Sequence, residues 1–546
     1  MAELPAFNHT SLESIADISN TVRATFHTHK TRSVSYRLTQ LRKLYWGLKD
    51  NEDALLEACK RDLGKSSFET YLTEVGWCEN DIIFMCNNLE KWVKDEAAPD
   101  IPLMNKALSP RIRKEPLGCV LIIGYAWQRG FILRRCITDS GISRAYNFPI
   151  QLSLGPLIGA IAAGCTAILK PSENAPAAAA VMEMIIKKSL DQSAYRVVQG
   201  AVPESTALLD QKWDKIFYTG NMNVGKIIAK KAAETLTPVT LELGGRNPAI
   251  ITRNADARLA ARRLLWAKLL NAGQVCVSQN YILVDKEILP AFIAEMKKAM
   301  DEFYPQGAKA SPDYGRIVNE RQFLRLKKML DESQGKILLG GTMDEKEKFL
   351  EPTVIQVDNV TDSLMVDESF GPLIPIYPVK NLDEAIRLAN EVHDTPLGIY
   401  PFGNKQETNR ILAETRSGGA SVNDGFFHAS IPTLAFGGVG ESGQGSYRGK
   451  ASFDCFTHRR SVTTTPGWME SLLNVRYPPY AGKLKQFQRM SNLSPNFDRD
   501  GKVKRNLATY ILTLGGGSFM AAVKRYLFVA ILALGVKQYQ LRRLGS

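Results

Sequence analysis

From Cys119 onward the sequence alternates between apolar runs of three to five residues and amphipathic stretches long enough to carry a helix back across them. Cys119–Ile123, Ala167–Leu169, Lys215–Tyr218 and Ala249–Ile251 read as strands, and the stretches near 175–190, 224–236 and 256–270 as helices. Runs without polar alternation are buried on both faces, and a crossover helix between two strands makes them run parallel. The pattern predicts an α/β fold with a doubly wound parallel sheet. Further alternation continues to about Phe402, a Gly-rich region spans Gly418 to Gly449, and no internal repeat occurs.

The first hundred residues differ. Leu38, Leu41, Tyr45 and Leu48 recur at three- and four-residue spacing, one apolar helical stripe. A chain of 546 residues exceeds one ordinary domain, and 45% hydrophobic with 23% charged residues excludes a disordered protein. The net charge of +13 is local: residues 481–546 hold twelve Lys/Arg against two Asp/Glu, a net of +10, which leaves +3 for the other 480 residues. Such a body gives no reason to expect a nucleic-acid partner. Eight cysteines without a C-x-x-C pair, and six histidines without H-E-x-x-H, argue against a metal centre or disulfide framework and for a reducing compartment. Met1 to Asn20 lacks the apolar core of a secretory signal.

Two short motifs carry chemistry. Cys276 lies in Asn271-Ala-Gly-Gln-Val-Cys-Val. A cysteine among valines is most often a small buried hydrophobe; it becomes a nucleophile only where a pocket favours the thiolate. Glu242 lies 34 residues upstream, in Leu241-Glu-Leu-Gly-Gly-Arg-Asn-Pro. An acid amid apolar residues is either a buried structural group or a base with a raised pKa. The glycine pair after it allows a sharp turn and a close ligand.

With these motifs the chain resembles the aldehyde dehydrogenase superfamily over residues 20 to 465, most closely its class-three, fatty aldehyde branch. The resemblance rests on ordered segments. They are Lys114-Glu-Pro-Leu-Gly, Asn147-Phe-Pro, Gly155-Pro-Leu-Ile-Gly, Leu169-Lys-Pro-Ser-Glu, Phe217-Tyr-Thr-Gly, Leu241-Glu-Leu-Gly-Gly and Asn271-Ala-Gly-Gln-Val-Cys, then Glu368-Ser-Phe-Gly-Pro, Pro432-Thr-Leu-Ala-Phe-Gly-Gly and Gly445-Ser-Tyr-Arg-Gly-Lys. It implies four parts: a Rossmann-like NAD-binding domain with N-terminal helices (1–241), an α/β catalytic domain (242–441), a small oligomerisation and return segment (442–480), and a basic membrane tail (481–546). Cys276 would attack the aldehyde, Asn147 and the Cys276 backbone N–H would hold the oxyanion, and Glu242 would activate water against the thioester. An essential Glu242 favours an acid product over transfer to coenzyme A. Relatives of this branch are commonly homodimers.

The cofactor site has no G-x-G-x-x-G. The resemblance places the pyrophosphate instead at Gly220-Asn-Met-Asn-Val-Gly225, where turn amides and a helix dipole would face it, with Asn221 where many relatives carry serine. It puts Lys170 and Glu173 at the adenine ribose, Glu368 and Phe370 at the nicotinamide ribose, and Phe436 in the substrate cleft. An acid near the 2′-hydroxyl repels a 2′-phosphate, so NAD is expected over NADP.

Between the first strand and Ala145-Tyr-Asn-Phe-Pro the chain departs from the family through a twenty-residue insertion, Tyr125 to Arg144, with four arginines and no helical or strand period. Removing it restores Ile-Ile-Gly-Ala-Tyr-Asn-Phe-Pro. We read it as a retained intron: twenty residues are sixty nucleotides, and Gly124-Tyr125, Thr138-Asp139 and Arg144 permit donor, branch-point and acceptor codons. The rival assignment is a regulatory lid. An inserted segment here would displace Asn147 and leave an inactive scaffold.

The tail is the last departure. Leu507–Val523 is uncharged, Lys524 and Arg525 interrupt, and Tyr526–Val536 is apolar. Eleven residues at a rise of about 1.5 Å fall well short of a bilayer core of about 30 Å. The expectation is an anchor whose two cations reach an interface, holding the enzyme at an intracellular membrane: endoplasmic reticulum, outer mitochondrial membrane or lipid droplet. Such an enzyme suits a lipid-partitioning substrate, a long-chain fatty aldehyde first and an apocarotenal second.

Overall fold

In the computed structural model, residues 4–124, 146–491, 495–503 and 519–544 are described. The insertion 125–144 and the tail residues 507–518 lie outside them. The chain forms two compact units, residues 1–100 with 110–462, and residues 101–109 with 463–546.

The larger unit is built on two sheets. In the first, β1 (Cys119–Gly124), β2 (Thr166–Lys170), β3 (Tyr195–Val197), β4 (Lys215–Thr219) and β5 (Val239–Glu242) are parallel in the order β5-β4-β1-β2-β3. The short strand Gly443–Gln444 closes the β5 edge antiparallel. All of β1, β2 and β4 is buried, which is why these segments show no polar alternation. Strands grow outward from β1 toward β3, then resume at β4 on its other side. That reversal opens a crevice at the carboxyl ends of β1 and β4.

The second sheet uses β6 (Pro248–Ile251), β7 (Tyr281–Asp285), β8 (Lys336–Leu339), β9 (Thr353–Gln356), β10 (Leu373–Val379), β11 (Gly398–Phe402) and β12 (Gly419–Ala420), in the order β8-β9-β10-β7-β6-β11-β12. Only β8 pairs antiparallel. The chain passes from Glu242 at the end of β5 into β6 within six residues, so Glu242 stands where one sheet hands over to the other.

The N-terminal helices cover the first sheet. In the helix Val34–Lys49, Leu38, Leu41, Leu44 and Leu48 form the buried stripe. Tyr45 is only partly buried, so Leu44 takes the place that the spacing gave to Tyr45. The expected oligomerisation segment divides: Thr457–Val462 pairs with Arg111–Pro116 in a separate three-stranded sheet, while residues from 463 onward join the smaller unit.

The smaller unit contains the turn Leu103–Leu108, whose last carbonyl accepts the Thr464 N–H at 2.8 Å, and the helix Phe519–Leu544. Leu527, Phe528, Ile531 and Leu534 on that helix are each more than half exposed. No helix among the described residues is long and apolar enough to cross a membrane.

Candidate active site

The nucleophile sits beyond a turn that few residues adopt. Asn271, Ala272 and Gly273 all have positive φ, at 51°, 51° and 77°. An alanine there carries local strain that its surroundings must override. A Cβ at Gly273 would fall 2.3 Å from the Gly371 carbonyl, so this position admits only glycine. Gln274 locks the turn: its Nε2 donates to the Asn271 and Arg316 carbonyls, and its Oε1 accepts the Val318 N–H. Asn247 Nδ2 donates to the Cys276 and Ser278 carbonyls, both at 2.8 Å, and the Tyr400 hydroxyl donates to the Val277 carbonyl. The Cys276 backbone is thus held on both sides, and its side chain is half-buried rather than sealed.

Cys276 opens into a pocket shared with Asn147, Thr219, Gly220 and Glu242, walled by Leu152, Leu397, Phe436 and Tyr447. The sequence placed Cys276 and Glu242 in separate motifs; the fold brings them to one cavity through the β5–β6 handover and the 271–273 turn. Glu242 is 3% exposed and neither carboxylate oxygen has a hydrogen-bond partner. Burial alone pushes its pKa well above the ordinary carboxylate range, as a base working near neutral pH requires. Asn147 Nδ2 donates to the Gln274 carbonyl at 2.9 Å. An Asn amide has two N–H groups, which leaves one for a ligand.

Phe436 belongs to an aromatic wall. Its ring meets Tyr447 edge-on at 5.8 Å and lies nearly parallel to His428 at 6.4 Å. Burial pulls the His428 pKa down to about 4, so this histidine, whose Nδ1 meets the Ser421 hydroxyl at 2.9 Å, is neutral behind Phe436. Phe427 and Leu434 of the same loop are about half exposed, at 53% and 47%.

The remaining predicted residues lie apart from the pocket lining. Lys170, at the end of β2, is fully buried and pairs with Glu173 at 2.7 Å. Asn221 caps the helix Met222–Ala233: its Oδ1 accepts the Asn223 and Val224 N–H groups. Those two amides are therefore satisfied within the chain. The Gly220 and Gly225 N–H groups donate to the Glu242 and Asn221 carbonyls, so the anion site expected at Gly220–Gly225 retains the helix dipole rather than an open ring of donors. Gly225 lets this helix approach Leu243, whose Cδ2 would lie 3.0 Å from an added Cβ. Phe370 is 2% exposed and packs edge-on against Tyr146 at 5.9 Å, and Glu368 is 5% exposed. Phe370 is thereby a core residue next to Asn147's neighbour. The sequence missed Asn247, Gln274 and the buried charges Lys65, Glu69 and Glu74. Gln274 lies inside the Cys276 motif but carries no signal of its role there; the others share no motif with the residues they support.

The Thr219 hydroxyl, at the carboxyl end of β4, is buried without a partner and faces the pocket. An unsatisfied donor at the switch point of a doubly wound sheet is what a dinucleotide site would leave when described alone, so the residues fit a nicotinamide cofactor. A thiol can take up a carbonyl carbon, and the crevice beside it gives the hydride a destination. The class so defined is an oxidoreductase that acts on aldehydes through a cysteine-bound acyl group.

The chain belongs to the aldehyde dehydrogenase family, whose profile matches residues 2–462. It is 52% identical over 532 residues to the beta-apo-4′-carotenal oxygenase of Neurospora crassa, covering 96% of each chain. It is 40% identical over 462 residues to aldehyde dehydrogenase family 3 member B2 of Mus musculus, covering 84% of this chain and 91% of that one. The substrate-bound state of Staphylococcus aureus AldH superposes with a TM-score of 0.81 at 38% identity, over 88% of this chain and all of the other. The likeness to a family 3 member agrees with the class-three branch read from the motifs.

Proposed function

We propose that this aldehyde dehydrogenase oxidises a long, apolar aldehyde, an apocarotenal first and a long-chain fatty aldehyde second, with NAD as its preferred acceptor. The observation that carries this is the joining of Cys276, Glu242 and Asn147 in one cavity whose walls are Leu152, Leu397, Phe436 and Tyr447. The order of substrates expected from the tail is reversed because of the 52% identity to a relative named for an apocarotenal.

Cys276 attacks the carbonyl carbon as thiolate, and the oxygen becomes an anion facing the free Asn147 N–H and the Cys276 amide. Losing one such donor typically costs about 10²–10³ in rate. A nicotinamide dinucleotide held in the crevice would supply the hydride acceptor, and with the hydride gone Cys276 carries the acyl group as a thioester. Glu242 then takes a proton from water, hydroxide adds to the thioester, and the acid departs as the thiolate re-forms. Lys170, Glu173, Gly220 and Asn221 would hold the dinucleotide, with Glu368 on its nicotinamide side. Glu173 stays close to Lys170, and a carboxylate there disfavours a 2′-phosphate.

The tail is an interfacial anchor at an intracellular membrane, supported by the exposed apolar side chains of Phe519–Leu544 and the basic residues around them. The enzyme acts as a homodimer.

NADH formation with β-apo-4′-carotenal and with hexadecanal tests the substrate. The expected result is a higher kcat/KM for the apocarotenal and no turnover of either by Cys276→Ala. A preference for hexadecanal would reverse the order, and turnover by the alanine variant would move the nucleophile elsewhere.

A further inference from the structure

A fully buried ion pair lies behind the pocket, where the thioester chemistry does not call on it. Lys65 Nζ meets Glu74 Oε1 at 2.6 Å, and neither side chain has any exposure. Both partners reach the segment that carries Asn147. Lys65 Nζ also donates to the Asn147 carbonyl at 3.3 Å and lies 4.3 Å from the centre of the Phe148 ring. Glu74 Oε2 accepts the Ile150 N–H at 2.7 Å. One ion pair therefore touches residues 147, 148 and 150.

Glu69 extends the arrangement to the nucleophile's turn. It accepts the Asn271 N–H at 2.6 Å, and Asn271 Nδ2 donates to the same Asn147 carbonyl at 2.7 Å. An α-helix would turn side chains five residues apart well away from each other; the π-helical turn Tyr71–Val75 closes part of that angle between Glu69 and Glu74. Burial pushes the Glu69 pKa up to about 7, with Lys65 opposing the shift and Glu74 adding to it.

A buried ion pair is a poor way to stabilise a fold, since apolar side chains of similar volume often serve as well or better. What an ion pair with spare donors and acceptors does supply is fixed geometry for polar backbone. We propose that Lys65 and Glu74 are positioning residues for Asn147, fixing the main chain that aims its amide at the substrate oxygen. Among the described residues, the side-chain bonds that orient Asn147 come from Lys65, Asn271 and Gln274. The inference rests on Asn147 being the oxyanion donor.

The test is Lys65→Met/Glu74→Gln in the full-length enzyme. The pair is neutralised together, so no lone ion is stranded, and the glutamine oxygen can still accept from Ile150. A misaimed donor should lower kcat about 10- to 100-fold. The rate of iodoacetamide alkylation at Cys276 and the KM for NAD should stay within about twofold of the parent, which separates aim from general damage. Added to Asn147→Ala, the double change should cost little more, because both act through one amide. Glu74→Asp alone, which keeps both charges of the pair but shortens the reach to Ile150, is the milder variant should the double change not fold, and it should show a smaller kcat loss with the same non-additivity. A lowered Tm with parental kcat in either variant, or losses that add fully to Asn147→Ala, would overturn the positioning role. An Asn147→Ala enzyme at full speed would overturn the oxyanion assignment and this inference with it.

Discussion

Glu242 combines deep burial, two unpartnered oxygens and a raised pKa, and its chemistry and its effect on stability follow from the same fact. Unfolded, its carboxyl ionises near the ordinary glutamate value of about 4.3; folded, it holds its proton well above that. The native chain binds more protons over that interval, so this residue's contribution to stability is fullest below the ordinary value and is lost as pH rises through the raised one. Glutamine has no proton to lose. The Tm of Glu242→Gln relative to its parent should therefore climb as pH rises above the ordinary glutamate value. Turnover should move oppositely: one equivalent of NADH in a burst, then a steady rate lower by roughly 10²–10⁴-fold, since thioester hydrolysis has lost its base. Sustained parental turnover would remove Glu242 from the mechanism. Cys276, Glu242 and Asn147 were legible because each lies within a short motif of the family the chain resembles. Lys65 and Glu74 were not: they act through backbone 76 to 82 residues away, and a lysine in an interhelical loop or a glutamate on a helix reads as a solvated side chain.

Strands and helices were legible wherever burial alone decided them. The segment called 224–236 runs Met222–Ala233 and that called 256–270 runs Ala257–Leu269. Their starts are set by the caps Asn221 and Asp256, whose side chains accept backbone N–H groups. The 271–273 turn was hidden because Asn and Ala signal helix or loop, not three successive left-handed residues; only the glycine hinted at it. The insertion reads as a retained intron. Sequencing the native transcript from Gly124 to Asn147 should give a message lacking sixty nucleotides, and peptides spanning Trp127 to Ser143 in a digest of the native protein would show instead that the segment is translated.

For the molecule as a whole, the catalytic unit is close to neutral while the tail carries the positive charge. Deleting residues 507–546 should shift the enzyme from membranes to the soluble fraction and leave kcat on a short, water-soluble aldehyde within about twofold, because uniform effects remote from the chemistry leave the transition state untouched. Unchanged sedimentation with membranes would refute the anchor. The place to cut matters. Residues 101–109 belong with 463–546, although the strands Glu96–Ala97 and Arg111–Pro116 on either side of them belong to the larger unit. The polypeptide thus crosses from one unit to the other three times. A stop codon near 462 would strip the partner from a loop that stays behind, leaving the Leu108 carbonyl without Thr464. Nicking by a protease at that boundary would likewise leave part of the smaller unit covalently attached to the catalytic one, so the two cannot be separated by any single break in the backbone.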